Sequence, residues 1–228
     1  MKLVVVCPHF APDVAPTGDV ITRIVEHLAA RGHRIEVITS LPWYEHHEVE
    51  PEFRGKPVQT EAMSWGKVTR VHPFPTDKRD IPRRALAFGG FSALVAGVGL
   101  VGGRVDGVLA MSPPLTLGLT GWGIAVARRA PLVFNIQDVF PDVAIELGLL
   151  QGERVIRAAY AAERFTYRIA DAVTVLSDDL AANVRAKVAA DPGKVRVIPN
   201  FVDTDWIRPG PKENAYRSEF GLSGKRVV

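Results

Sequence analysis

The chain has 228 residues, a formal net charge of +3 and a single cysteine. This length can bury a sizeable core in one large domain or two small ones. The basic excess is small and spread along the chain, which gives no reason to expect nucleic acid as a partner. One cysteine cannot form an internal disulfide, and no signal peptide precedes the first apolar segment. A cytoplasmic location is therefore expected.

Strands and helices are predicted to alternate from the first residues onward. Residues 3–7 form a continuously apolar strand, typical of a sheet that helices cover on both faces. A loop with three prolines follows, and apolar residues at helical spacing then lead to a stop at Gly32. A second strand at residues 35–39 completes a βαβ unit. Residues 42–58 are predicted as a long surface excursion, and residues 68–72 as a third, edge-like strand.

The rest of the chain continues the same alternation. Further strands are predicted at residues 106–111, 131–136, 172–176 and 195–198, with helices at 112–129, 141–148, 151–170 and 178–190. The fold class is therefore α/β, a single Rossmann-like doubly wound parallel sheet of about seven strands. Residues 224–228 resemble the start of another strand. This predicts a Rossmann-like domain over residues 1–210, followed at 211–228 by a linker and the beginning of a second domain.

An uncharged stretch of 19 residues, 85–103, comes close to the length needed to span a bilayer. Its six glycines and low aliphatic density instead predict a helix that packs against the sheet or docks on a membrane surface. Four basic residues precede or open this stretch: Lys78, Arg79, Arg83 and Arg84. Each contributes roughly 1 kcal/mol near an anionic leaflet, so a membrane-surface role is favoured slightly over a merely solvated helix start.

The segment 133–148 is where the sequence points most clearly to a site. Its apolar strand turns polar at Gln137 and Asp138, and a short helix follows. Ligands of parallel α/β sheets bind just past the carboxyl ends of the strands. A purely structural alternative makes Asp138 a helix cap and Asp142 a first-turn charge favoured by the helix dipole.

Two further residues are expected at the same rim. His9 directly follows the first strand, and Gly18 lies ahead of the first long helix. A glycine there leaves the helix N-terminus open to a ligand, although it could equally serve only as a turn.

Several common motifs are excluded by context or spacing. The sequence Gly97-x-Gly99-x-x-Gly102 has the letters of a dinucleotide fingerprint but does not follow the first strand. A P-loop at residues 221–225 has the wrong spacing, and the chain contains neither a G-x-S-x-G elbow nor an HExxH pair. His46 and His47 are expected to be solvated or locally bonded rather than to bind metal.

Several segments, taken in order, resemble the N-terminal domain of the GT-B glycosyltransferases of family 4, especially the colanic-acid biosynthesis branch. The matching segments are the strand, loop and helix start that end at Gly18, together with residues 31–39, 106–110, 137–142, 172–177 and 198–203. Together they cover nearly the whole chain.

The resemblance implies two Rossmann-like domains that face a cleft, with the acceptor on this half and a nucleotide-sugar on a C-terminal half that is missing here. It implies retaining transfer of a sugar from a nucleoside-diphosphate donor to a glycan or lipid-linked acceptor, in cell-surface polysaccharide or glycolipid synthesis. No cofactor or metal is expected, and the isolated half is not expected to turn over. Lipid-linked acceptors would place the protein peripherally on the inner face of the cytoplasmic membrane.

The resemblance also implies roles for individual residues. Asp138 and Gln137 would be catalytic, and the substrate-binding residues would be His9, Thr17, Gly18, Asp142, Ser177, Asn200 and Asp203. Many relatives have two glycines at the positions of Thr17 and Gly18, and a histidine near Gln137 and Asp138. Two other functions stay open, a non-catalytic sugar- or lipid-binding module and a nucleotide-sugar epimerase or reductase. The latter would need a nucleotide fingerprint directly after Cys7, where residues 8–12 do not supply one.

Overall fold

The computed structural model of the protein describes residues 1–76, 81–148, 150–188, 191–205 and 207–227. Within these ranges one sheet contains eight strands: β1 (Lys2–Val6), β2 (Arg34–Ser40), β3 (Val58–Met63), β4 (Gly66–Val71), β5 (Gly107–Met111), β6 (Leu132–Asn135), β7 (Ala172–Val175) and β8 (Val195–Val197). The helices are α1 (Pro16–Ala30), α2 (Ile81–Gly99), α3 (Thr116–Arg128), α4 (Asp142–Glu146), α5 (Glu153–Ile169), α6 (Asp178–Lys187) and α7 (Ala215–Glu219).

The strand order is β3-β4-β2-β1-β5-β6-β7-β8. Every neighbouring pair is parallel except β3 and β4, which form an antiparallel hairpin at one edge. This confirms the predicted α/β class and Rossmann-like sheet. In the sheet, β2 lies on one side of β1 and leads to β4 and β3. On the other side of β1 lies β5, which begins the half of the sheet that continues to β8. The carboxyl ends of β1 and β5 therefore flank a topological switch point, where ligands of open α/β sheets bind.

The hairpin strand β3 was missed by the sequence analysis, which had residues 42–58 as a surface excursion and residues 68–72 as the edge. β3 is exposed or only half-buried along its length, so it lacks the apolar run by which the buried strands were recognised. β4 is instead an interior strand between β3 and β2. The predicted last strand is also absent from the described residues, since residues 224–227 lie in no strand.

Alternate residues of β1 supply two cores, one on each face of the sheet. Val5 packs with Ile21 and Val25 of α1 on one face. Val4 and Val6 belong to the core on the opposite face, to which α2, α3, α5 and α6 also contribute. Burial on both faces explains why the strand is continuously apolar from Leu3 to Val6.

Helix α2 packs against the sheet, as one of the two predicted alternatives required. Phe91 and Val95 are buried in the core, and Gly99 lets α3 approach closely, since a Cβ there would lie 2.3 Å from Cδ1 of Ile124. Lys78 and Arg79 lie outside the described residues, so docking of this region on a membrane stays a prediction.

None of the helices in the described ranges combines the length and apolarity that a bilayer crossing requires.

Candidate functional site at the carboxyl rim of the sheet

The loop after β1 buries a histidine–aspartate pair at the switch point. Nδ1 of His9 lies 2.6 Å from Oδ2 of Asp13, and the two side chains are only 11% and 2% exposed. The other carboxylate oxygen accepts the backbone N–H of Tyr44 at 3.0 Å and that of Trp43 at 3.4 Å. A carboxylate can only accept hydrogen bonds, so Nδ1 donates, and in the neutral imidazole Nε2 is then the nitrogen that carries the lone pair. Within the described chain, Nε2 makes no hydrogen bond.

Aromatic residues of the loop after β2 flank the His9 ring. The ring centroid of Trp43 is 5.6 Å from that of His9, and Tyr44 meets it edge-on at 5.2 Å. Both aromatic residues are half-buried, so this part of the predicted surface excursion belongs to the rim. Because Asp13 binds both backbone amides, it joins the loops after β1 and β2 into one unit.

Gly18 lies in the first turn of α1 and is buried against this pair. A Cβ at this position would lie 3.0 Å from Cβ of His9 and 3.3 Å from the backbone oxygen of Asp13. Both distances are tighter than ordinary contacts, so a side chain here would press on the His9 loop. The structure thus brings together two residues that the sequence analysis named separately, with Thr17 half-buried beside them.

Arg70 of β4 is hydrogen-bonded to the loop after β1 and was missed by the sequence analysis. It is buried, and its guanidinium donates to the backbone oxygens of Phe10 at 3.4 Å and Ala11 at 2.5 Å. Burial lowers the pKa of Arg70 from its usual value. An arginine inside the predicted strand at residues 68–72 was the signal that could have found it, just as the i,i+4 spacing from His9 could have found Asp13.

Gln137 is hydrogen-bonded within the rim through its backbone N–H and through both polar atoms of its side chain. Its backbone N–H donates to Oγ of Ser112 at 3.3 Å, and its Nε2 donates to Oδ1 of Asn135 at 2.6 Å. Its Oε1 accepts from Nδ2 of Asn200 at 2.9 Å. The amide therefore positions the loop after β6, whereas the neighbouring Asp138 is exposed. Since β5 separates β1 from β6, the ends of those two strands lie about 10 Å apart.

The remaining predicted residues of the rim belong to the segments after β7 and β8. Asn200 reaches across β7 to Gln137, which draws the segment after β8 over the rim. Ser177 caps α6, because its Oγ accepts the backbone N–H of Leu180 at 3.3 Å. Asp203 is exposed, and its Oδ1 accepts the backbone N–H of Asp205 at 2.9 Å.

Asp142 is held in an ion-pair network that joins α4, α5 and α6. Its Oδ2 accepts from Nζ of Lys187 and from Nδ2 of Asn183, each at 2.9 Å. Burial opposes ionisation, but these hydrogen bonds hold the pKa of Asp142 below its usual value. Nζ of Lys187 also lies 2.8 Å from Oε1 of the buried Glu163. Burial raises the pKa of Glu163, although its hydrogen bond with Lys187 acts in the opposite direction. In this structure Asp142 ties helices together, although it was predicted to bind substrate.

The loop after β2 also carries a small polar cluster on its exposed side. Ligand atoms of Glu45, His46 and Glu50 lie within 4.8 Å of one another, a spacing that could hold a metal ion. Nδ1 of His46 is 2.9 Å from Oε1 of Glu50, and this hydrogen bond raises the pKa of the imidazole. His46 is thus locally bonded, as the sequence analysis expected.

Comparison with known proteins identifies relatives of this architecture. Residues 17–200 match the family described as glycosyl transferase 4-like domain. The putative colanic acid biosynthesis glycosyl transferase WcaI of Escherichia coli (strain K12) is 30% identical over 187 residues, which cover 78% of this chain and 44% of the relative. The chain thus spans less than half the length of this curated relative.

Two solved structures share the fold at low sequence identity. Sucrose-phosphate synthase from Thermosynechococcus elongatus superposes with a TM-score of 0.62 at 16% identity, covering 97% of this chain and 53% of that one. Anabaena HepE, in complex with UDP-glucose, superposes with a TM-score of 0.56 at 16% identity, covering 100% of this chain and 54% of that one.

Proposed function

The chain belongs to the glycosyl transferase 4-like family, and from this we propose that it is the acceptor-side half of a retaining glycosyltransferase. The sugar would pass from a nucleoside-diphosphate donor to a glycan or lipid-linked acceptor in cell-surface polysaccharide or glycolipid synthesis. The relation to a putative colanic acid glycosyl transferase supports this acceptor class. HepE has been crystallised with UDP, with UDP and glucose, and with UDP-glucose, which makes UDP-glucose the first donor to test.

One observation carries the proposal, the His9–Asp13 pair under Gly18 at the switch point. Sugar transfer builds negative charge on the departing diphosphate and positive charge on an oxocarbenium-like sugar. The N-terminus of α1, left uncrowded by Gly18, favours a phosphate group. Nε2 of His9, fixed in its tautomer by Asp13, can accept a hydrogen bond from a sugar hydroxyl.

The loop after β6 supplies the second part of the proposed site. The exposed carboxylate of Asp138 can stabilise positive charge on the sugar or orient the acceptor hydroxyl. Gln137 acts as a positioning residue through its bonds to Asn135 and Asn200. In this proposal residues 1–210 form the acceptor-side domain, residues 211–228 lead toward the donor-side half, and transfer needs no metal ion.

The test measures transfer from UDP-glucose in a polypeptide that contains this chain and a donor-binding half. We expect Asp138→Ala and His9→Ala each to lower the transfer rate by about 10² to 10³, the range found when one electrostatic contact to a transition state is removed. Asp179→Ala on α6 and His33→Ala at the opposite end of the sheet are the controls, and they should retain activity. Full transfer by both site variants would refute the assignment. Sugar or lipid binding without any transfer would favour the non-catalytic module.

We also propose that the start of α2 contacts an anionic membrane surface. Arg83 is exposed, Arg84 lies 5.4 Å from the ring of Phe88, and Leu86 is exposed nearby. Sedimentation with phosphatidylglycerol-containing vesicles should fall when Arg83 and Arg84 are both changed to Glu. The same double change at Arg154 and Arg157 of α5 is the matched control, and equal sedimentation of the two variants would end the proposal.

A further inference from the structure

A basic cavity lies at the amino-terminal end of the sheet, opposite the rim described above. Its volume is about 280 Å³, and its lining includes five basic residues and one acidic residue: Lys2, Arg34, Lys67, Arg104, Arg128 and Glu36. The five-residue strand β1 separates the two ends of the sheet by roughly 15–20 Å. The cavity is therefore distinct from the proposed sugar-transfer site.

Buried Arg128 forms a structural part of the wall. Its Nε donates to the backbone oxygen of Gly103 at 2.5 Å, and Nη1 donates to those of Gly99 and Val101 at 3.2 and 3.1 Å. These bonds satisfy carbonyls at and just beyond the C-terminus of α2, where a cation is favoured by the helix dipole. Arg128 is thus explained by the fold alone.

The one carboxylate that the described residues contribute to the lining is already neutralised. Oε2 of Glu36 lies 3.1 Å from Nη2 of Arg128, and Oε1 lies 2.8 Å from Nζ of Lys67. Glu36 and Lys67 are register partners on neighbouring strands, so the second contact is a cross-strand pair. Among the residues that the structure describes, no further acidic side chain lines the cavity. Nearby Asp106 uses Oδ2 to accept the backbone N–H of Lys2 at 2.7 Å.

Three cations in the lining are left without an anionic partner in the part of the chain that the structure describes: Lys2, Arg34 and Arg104. Lys2 and Arg34 are register partners on β1 and β2, so two like charges stand side by side on one face. Such a pair is unfavourable, and because both residues are exposed, solvent screens part of the repulsion. The pair does not serve a helix C-terminus, because both residues open strands. An anion bound between the cations would remove the repulsion.

We propose that this cavity binds a phosphate-bearing ligand, a diphosphate or a phosphate monoester. Arginine guanidinium groups match the oxygens of a phosphate in fork geometry, and a multiply charged phosphate offsets several cations at once. The volume lies just below the range of roughly 300–1,000 Å³ that is usual for drug-sized ligands, which suits a small anion. The ligand is either a free phosphorylated metabolite or the headgroup of a phosphorylated lipid, since both present the same chemistry.

Calorimetric titration with inorganic pyrophosphate at low ionic strength tests the proposal on the chain as it stands. We expect one binding event per chain, and the affinity should fall by about tenfold or more in the double variant Arg34→Gln and Arg104→Gln, because charged hydrogen bonds are lost. The matched control changes Arg154 and Arg164, two exposed arginines of α5, to Gln. It carries the same change in net charge and should bind as the unaltered chain does.

A second variant, Lys2→Gln, repeats the test without altering an arginine, and circular dichroism verifies that each variant is folded. Pyrophosphate binding that is absent, or equal in the pocket and control variants, would overturn the proposal. Sedimentation with vesicles that contain phosphatidic acid distinguishes the two sources, and it is measured with Arg83 and Arg84 both changed to Glu so that the start of α2 does not contribute. Loss of sedimentation in the Arg34 and Arg104 variant assigns a lipid headgroup, whereas pyrophosphate binding without sedimentation assigns a free metabolite.

Discussion

Replacing Asp13 by alanine tests the buried pair on which the candidate site depends. The change leaves Nδ1 of His9 and the backbone N–H of Tyr44, bonded at 2.6 and 3.0 Å, without an acceptor. The 3.4 Å contact to Trp43 is too long to add much. A buried donor left unpaired costs about 1–3 kcal/mol, and the amide of Tyr44 is only part-buried, so the free energy of unfolding should fall by about 3 kcal/mol. In a chain of this size, that corresponds to a melting temperature lower by about 6–12 °C.

Thermal unfolding followed by circular dichroism measures this loss, and Asp19→Ala is the matched control. The Asp19 carboxylate is 77% exposed and lies 3.9 Å from Nε of Arg23, so its removal should cost less than about 1 kcal/mol. The reasoning would be refuted if the two variants melted within a few degrees of each other, because the carboxylate of Asp13 would then contribute no more than a surface charge.

Two further predictions concern packing and titration elsewhere in the fold. Gly118→Ala places a Cβ 2.3 Å from Cγ2 of Thr166 and should destabilise the protein by about 1–3 kcal/mol, whereas Gly97→Ala, which meets open space on α2, should stabilise it by about 0.5–1 kcal/mol. Denaturant unfolding measures both, and effects of the same sign would contradict the packing described. Burial raises the pKa of Glu163, so the native state binds the proton of this residue more tightly than the unfolded state does. The contribution of Glu163 to the free energy of unfolding therefore falls as the pH rises from the usual glutamate pKa through the raised pKa. Glu163→Gln should remove that decline from the melting temperatures measured across this range, and an unchanged slope would count against it.

Position relative to the strands made part of the site predictable. His9, Gln137 and Asp138 follow apolar runs, and the carboxyl ends of parallel strands meet at one rim, so their placement could be expected before any coordinates. The hydrogen bonds and ring contacts of these side chains could not be predicted in the same way. Gln137 accepts a hydrogen bond from Asn200, 63 positions further along the chain, and His9 contacts Gly18 and lies close to the rings of Trp43 and Tyr44. Such contacts depend on how separate loops pack.

The basic cavity could not be predicted from the sequence either, because its charged residues come from separate segments of the chain. Lys2 and Arg34 are far apart in sequence, and nothing in the spacing of charges along the chain marks them as neighbours. Only the register between β1 and β2 places them side by side, and only the packing of β4 and α3 against β2 brings Lys67 and Arg128 to the carboxylate of Glu36.

The sequence by itself determined the α/β alternation, the buried parallel strands and the helices. Burial on two faces leaves a continuous apolar run in a strand, and burial on one face leaves a periodic apolar pattern in a helix. It left the edge strand β3 undetected, since an exposed strand needs no such pattern. The tertiary structure alone decided which polar side chains work together. Hydrogen bonds act over about 3 Å, and the residues that must approach so closely, such as Asp13 with Tyr44 or Glu36 with Arg128, are brought within reach only by the packing of the complete sheet and its loops.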